Sequence, residues 1–339
     1  MMKISRSHLL RLITAAGAFP LLHTLYQSST AAPAPTTTEP LPSWNAGQVK
    51  SAITDFVRRT TTPGSPDFIP VEDRIATFDN DGTLWAEQPI IQILAIQARL
   101  ETLATADPAL RQTQPFQAAL AGDAAYFATA GEAALMQVIA LASANQTDAE
   151  FAAQTAAFFE TATYPRFNQP VTAMVYQPMQ ELLTYLRAHA FQTWICSGGG
   201  IDFIRVISQP LYGIPPQQVI GSSLQKEYRV VNGTGQLWRL AEIGRINDKA
   251  GKPVGIDLHI GKRPVIAVGN VRSGGDIAMQ SYSQGSSEVS LQLLVNHDDG
   301  DREFAYQEPD QASLNAANAN GWQVVSMKND WKTIFAFQQ

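Results

Sequence analysis

Cysteine is almost absent from this 339-residue chain: Cys196 stands alone, so no intrachain disulfide and no cysteine-rich zinc or iron–sulfur centre is available. Charge is also sparse, at 16% of residues, and lysine plus arginine (24) are outnumbered by aspartate plus glutamate (30). No Lys/Arg cluster stands along the chain, which excludes the electrostatic footprint of a nucleic-acid binder. The five histidines lack metal-ligand spacing. Walker, zinc-site and EF-hand patterns are missing, as is the Gly-x-Ser-x-Gly elbow of a serine hydrolase. Gly198-x-Gly200 lacks the third glycine of a dinucleotide-binding fingerprint. What is plentiful is apolar residues, 45%, enough for a sizeable core in roughly two domains.

The N-terminus differs from the rest. Lys3, Arg6 and Arg11 precede or enter an apolar stretch from Leu9 to Leu22, followed by Ser28-Ser29-Thr30-Ala31-Ala32. A positive start, a short apolar middle and a small-residue end are the layout of a secretory signal. The stretch falls short of the about 20 apolar residues that a good spanning helix needs. We therefore expect a signal peptide over 1–32, a flexible Ala/Pro/Thr-rich tether over 33–43 and a periplasmic or secreted protein with no other membrane association.

Beyond the tether, short apolar runs alternate with helical patterns. Helical periodicity runs from Trp44 to about Arg59. Arg74 to Phe78 predicts a buried strand that ends in Asp79-Asn80-Asp81-Gly82. From Gln88 to about Thr163 the chain is Ala-rich with helical spacing, and Thr147-Asp148-Ala149-Glu150 predicts a capping box. Met179 to Ala190 predicts a further helix. Gln192 to Cys196 is a second strand, ending in Ser197-Gly198-Gly199-Gly200 before a helix at Ile201 to Ile207. Pro264 to Val268, ending in Gly269-Asn270, is a third, and Ser290 to Val295 a fourth. Trp322 to Met327 makes a fifth. His297-Asp298-Asp299, after the fourth strand, reads as a solvated loop, and Cys196 as a small core residue. Strands alternating with helices predict an α/β fold, a parallel sheet covered on both faces.

Ligands of such sheets sit beyond the carboxyl ends of the strands. There the chain places two acids (Asp79, Asp81), a hydroxyl backed by glycines (Ser197, Gly198), an amide and a third acid (Asn270, Asp276) and, between them, Lys252. These are the parts of a magnesium-dependent reaction at phosphorus. An aspartate nucleophile divides a difficult hydrolysis into two steps. A second carboxylate two residues on can protonate the leaving oxygen and then activate water. Mg²⁺ takes hard oxygen ligands and keeps a dianionic substrate beside a carboxylate. Lysine, hydroxyl and backbone N–H groups neutralise and orient the phosphoryl oxygens.

Asp79-Asn80-Asp81-Gly82-Thr83-Leu84-Trp85 resembles the first motif of the haloacid dehalogenase-like hydrolase superfamily, and Ser197, Lys252 and the Asn270…Asp276 loop follow in the order of its other three. Tyr176-Gln177-Pro178-Met179, Tyr212-Gly213-Ile214-Pro215-Pro216 and Ser326-Met327-Lys328-Asn329-Asp330-Trp331 resemble an exported bacterial subgroup similar to phosphoserine phosphatase. The resemblance implies a Rossmann-like three-layer core (44–87 and 170–339) with an inserted helical cap (88–169). It makes Asp79 the nucleophile and Asp81 the general acid/base, whose carbonyl also binds metal. Ser197, Gly198 and Lys252 hold phosphate, and Asp79, Asp81, Asp276 and Asn270 surround Mg²⁺. The substrate it implies is a small phosphorylated metabolite. Glu87 is a further candidate to face it.

The sequence departs from the family at one place: Asn270 and Asp276 are six positions apart where about four is usual, and Arg272 lies between them. That loop motivates a rival reading, a weakly active or non-catalytic ligand-binding relative with a degenerate metal loop. A third reading is a 2-haloacid dehalogenase, which has no need of the second aspartate, Asp81.

Overall fold

The computed structural model describes residues 39–338 apart from residue 273; the expected leader 1–32 and most of the tether lie outside the described residues. After α1 (Gln48–Thr61), strand β1 (Ile75–Phe78) enters the interior with all four residues buried. The Ala-rich segment then forms α2 (Ile91–Ala106), α3 (Phe116–Ala121), α4 (Ala124–Ser143), the two-residue β2 (Gln146–Thr147) and α5 (Asp148–Thr161). A small hairpin, β3 (Thr163–Tyr164) and β4 (Gln169–Pro170), leads into α6 (Gln177–Ala188), β5 (Gln192–Gly200) and α7 (Ile201–Tyr212). A long ribbon follows, β6 (Val219–Val231) and β7 (Thr234–Arg245), then α8 (Gly251–Ile260), β8 (Ile266–Asn270) and α9 (Ile277–Gln284). The chain ends with β9 (Leu291–Asn296), α10 (Ala312–Asn320), β10 (Gln323–Ser326) and the single turn α11 (Met327–Asp330).

The main sheet has the order β10-β9-β8-β1-β5-β6-β7-β2. It is parallel from β10 to β6 and antiparallel beyond. Strand alternation divides the core between two faces. Ile195, Val219 and Ile266 join the apolar cluster under α1, α6 and α7, while their neighbours Cys196, Ile220 and Ala267 join Ile256 of α8 and Met279 of α9 on the other side. Burial on both faces explains why these strands read as continuous apolar runs. Helix, sheet and helix make the expected three-layer Rossmann-like core.

The chain runs outward from β1 through β5 to β6 and then returns to β8 on the opposite side of β1. That reversal opens a crevice beyond the ends of β1 and β8, where Asp79 and Asn270 stand.

The insert has its own small core of Leu100, Ala119 and Val138. Thr147 and Glu150 form the expected capping box: the Glu150 N–H donates to Thr147 Oγ1 at 3.1 Å, and the Thr147 N–H to Glu150 Oε2 at 2.7 Å. The β6–β7 ribbon is not among the strands expected from sequence. It closes on Asn232-Gly233, both at positive φ (51° and 79°), between the paired residues Val231 and Thr234. Two left-handed residues are what a two-residue hairpin turn demands, and Asn-Gly is the pair that supplies them at least cost. The far end of the sheet joins insert to ribbon, because β2 pairs with β7. No single helix among the described residues is long and apolar enough to cross a membrane.

Candidate active site

The carboxyl ends of β1, β5 and β8 and the first turn of α8 converge on a cavity of about 490 Å³, which Asp79, Asp81, Ser197, Gly198, Lys252, Asn270 and Asp276 all line. Sequence reasoning named all seven, and the fold brings them together.

The β1 loop is rigidly built. The Asp79 N–H donates to the Val268 carbonyl at 2.9 Å, and the Leu84 N–H to the Asn80 carbonyl at 2.8 Å. Gly82 turns the chain at φ 72°, and a Cβ there would overlap the side chains of Asn270 and Glu87. Trp85, fully buried against Phe159, Phe203 and Tyr212, donates its indole N–H to Asp81 Oδ1 at 2.9 Å and so fixes that carboxylate.

At the end of β5, Ser197 is 1% exposed and its Oγ accepts the Gly199 N–H at 2.9 Å. The Gly198 carbonyl accepts from Ser222 Oγ at 2.8 Å, and the Gly200 N–H donates to Gln92 Oε1 of α2 at 2.9 Å. Side chains from the ribbon and the insert thus pin the glycine loop.

Lys252 lies in the first turn of α8 and is 2% exposed. Its ammonium donates to Asp79 Oδ1 at 2.6 Å and to Asp276 Oδ1. Lys262, further along the chain, pairs with Asp73 at the surface and takes no part in the cavity. Burial alone would lower the pKa of Lys252, but the charges of Asp276 and Asp79 outweigh it and keep the ammonium protonated. Burial, reinforced by the nearby Asp276 charge, pushes the Asp79 carboxyl well above the usual range against the pull of Lys252. Burial also raises Asp81, against its bond from Trp85.

The lengthened loop after β8 returns Asp276 to the site. The Asn270 N–H donates to Asp276 Oδ2 at 3.0 Å. Asn270 Nδ2 donates to the Asp81 carbonyl at 2.6 Å. Arg272 turns aside and pairs with Glu87. Glu87 lines the cavity and is 2% exposed, with Tyr306 as its other partner.

His297 corrects the solvated-loop expectation. It is wholly buried, donates from Nε2 to the Gly82 carbonyl at 2.8 Å, stacks on Tyr306 at 4.2 Å and faces Glu303 through Nδ1 at 3.3 Å. It braces the turn that carries Asp79 and Asp81. Sequence reasoning also missed the cluster over the cavity's outer wall. Arg239 of β7, 4% exposed, donates to the Ser143 carbonyl at 2.7 Å, to Asp148 Oδ1 at 3.1 Å and to Asp202, with its guanidinium 3.9 Å above the Phe151 ring. Lys226 of β6 bonds Asp148 at 2.7 Å and Asp202 at 2.9 Å. The Asn232-Gly233 turn signal was the available clue to the ribbon that carries both cations.

The donor set fits a hard divalent cation. Asp79 and Asp276 offer carboxylate oxygens and Asp81 its carbonyl, while Asn270 presents its own oxygen if its amide is turned over. Among the described residues no three Asp, Glu, His or Cys side chains form a metal-holding group unaided, so a cation at this place would need the backbone carbonyl as well. Three aspartates with one lysine place more acid than base at the cavity floor.

A family model described as haloacid dehalogenase-like hydrolase matches residues 76–278, more than half of the chain. A solved structure of a functionally unknown protein from Anaerococcus prevotii DSM 20548 superimposes with a TM-score of 0.54 at 13% identity, covering 84% of this chain and 94% of that one. A protein of unknown function from Bordetella pertussis Tohama I gives 0.46 at 16% identity, over 74% and 97%. A phosphoserine phosphohydrolase-like protein from Francisella tularensis subsp. tularensis SCHU S4 gives 0.39 at 16%, over 75% and 94%. No curated protein matches the sequence.

Proposed function

The chain belongs to the haloacid dehalogenase-like hydrolase family, and on that premise we propose that it is a Mg²⁺-dependent phosphatase that hydrolyses a small phosphomonoester through an aspartyl-phosphate. One observation carries the reading: Asp79 and Asp81, two positions apart, face one cavity in different settings, the first held by Lys252 and the second by Trp85.

Lys252 engages Asp79 Oδ1, which leaves Oδ2 to attack phosphorus. The Ser197 hydroxyl and the backbone of the glycine loop orient the phosphoryl oxygens. The ester P–O bond breaks, and Asp81, whose buried carboxyl favours its proton, delivers that proton to the leaving alcohol oxygen. Asp81 then takes a proton from water, which attacks the aspartyl-phosphate; inorganic phosphate leaves and Asp79 is restored. Asp79, Asp276, the Asp81 carbonyl and Asn270 would hold Mg²⁺, which would supply the positive charge that lets a dianion approach a carboxylate.

The lengthened Asn270–Asp276 loop is the ground for a binding-only protein, and the return of Asp276 to Lys252 counts against it. The leader-like N-terminus supports export to the periplasm or beyond. The test is phosphate release from a broad monoester panel, with Mg²⁺ or with a chelator. Activity that needs Mg²⁺ and disappears in Asp79→Asn is expected. No phosphate from any monoester, or halide release from 2-haloacids without metal, overturns the reading.

A further inference from the structure

We propose that the alcohol released at this site is uncharged and apolar, so that the preferred substrates are phosphate monoesters of alkyl or aryl alcohols. This rests on the phosphatase reading and deepens it. The reaction balances as ester plus water giving alcohol plus inorganic phosphate: the P–O bond breaks, the alcohol oxygen takes the Asp81 proton, and water replaces that proton and supplies the oxygen on phosphorus.

Two observations carry the inference. The first is what lines the cavity away from its aspartates. Leu135 and Ile139 of α4, Phe151 of α5, Phe203 of α7, Ile243 of β7 and the adjoining Ile246 contribute to its wall. Leu135, Ile243 and Ile246 remain 37%, 37% and 50% exposed, large aliphatic side chains that the protein's own core does not cover. A cavity of about 490 Å³ has room for a phosphate and an apolar body beyond it, within the usual size range of small-ligand sites.

The second observation is that the cations lining the cavity are all engaged. Lys252 is held by Asp79 and Asp276, Arg272 by Glu87, and Arg239 by Asp148, Asp202 and the Ser143 carbonyl. Arg245 is turned to the Gly251 carbonyl of α8 at 2.9 Å. Asp202 and Asp248 stand on the same wall. A second carboxylate or phosphate on the leaving group would meet these acids, and would have to break an existing ion pair to find a partner. An uncharged body avoids that cost and covers the exposed aliphatic groups.

The experiment measures kcat/KM with Mg²⁺ for methyl, butyl, hexyl and benzyl phosphate beside O-phosphoserine and glycerol 3-phosphate. A rise of roughly two- to fourfold per added CH₂ is expected, carried by KM, with hexyl and benzyl phosphate at least about tenfold above the two polar esters. Ile139→Ser and Ile243→Ser, checked for folding by thermal melting, should flatten the alkyl slope. A flat alkyl series, polar esters that match or exceed hexyl phosphate, or folded variants with the original slope would overturn this inference and leave the phosphatase reading standing. No phosphate from any ester would overturn the reading beneath it.

Discussion

The Asn270 N–H and the Asp276 carboxylate stand 3.0 Å apart although six positions separate them in sequence. Gly274 turns the loop at φ 61°, and Arg272, though it lines the cavity, pairs with Glu87 and not with the aspartate cluster. Asp276 can therefore serve the same floor as Asp79. Asp276→Asn keeps the shape and removes one of the charges that oppose Lys252 and a cation. Half-saturating Mg²⁺ in a phosphate-release titration should rise by roughly tenfold or more.

Lys252→Met should be costly for stability as well as activity. It removes the shared ammonium and leaves Asp79 and Asp276 buried with no counter-charge. Breaking a buried ion pair from one side costs about 3–5 kcal/mol. Urea unfolding should show a loss of that order, and combining Lys252→Met with Asp276→Leu should recover part of it. A Lys252→Met protein as stable as the parent would mean that the ammonium does not sit between the two acids.

Two glycines separate strain from collision. Gly233, at φ 79°, has open space where a Cβ would go, so Gly233→Ala should cost about 1–2 kcal/mol from backbone strain alone and leave kcat unchanged. Gly82 has a similar φ, but its Cβ would overlap Asn270 and Glu87. Gly82→Ala should cost more than Gly233→Ala in thermal melting, and kcat should fall because Asp81 is carried on the same turn. Equal losses for the two would contradict the crowding.

The Asp202 cluster gives a pH dependence with a definite sign. Burial would raise its carboxyl, but the bonds and charges of Lys226 and Arg239 overcome that and hold it below the usual range. A depressed folded-state pKa means stability present above the unfolded value, about 3.9, and lost as pH falls through the lower folded value. Asp202→Asn should be less stable than the parent by about 1–3 kcal/mol at pH 7. The gap should close as unfolding is followed from pH 4 toward pH 2. A gap that widened in acid would reverse the assignment.

The legible part of this molecule is the part governed by local pattern. Ile75 to Phe78 and Ile266 to Val268 announce buried strands because both faces are covered, and the polar loops after them mark the site. The ribbon was harder. From Ser222 to Arg229 apolar residues are few, because the outer end of the ribbon meets solvent: Tyr228 is 68% and Val230 63% exposed. Helical and apolar-run patterns are silent there, and Asn232-Gly233 is the one local cue. His297 was misread for another reason. Two following aspartates suggest solvation, whereas its main partner, the Gly82 carbonyl, is 215 positions away. Contacts of that range leave no trace in a local window.

The four-membered ion cluster has a bearing on exchanging parts between proteins of this fold. Asp148 comes from the helical insert, Asp202 from a core helix, and Lys226 and Arg239 from the ribbon. A graft of 91–161 alone would strand a guanidinium beside a single acid, and a graft of 219–245 alone would strand two acids. Recombination has to carry 91–245 across as one module, core helix α7 included, and laboratory chimaeras should be cut accordingly.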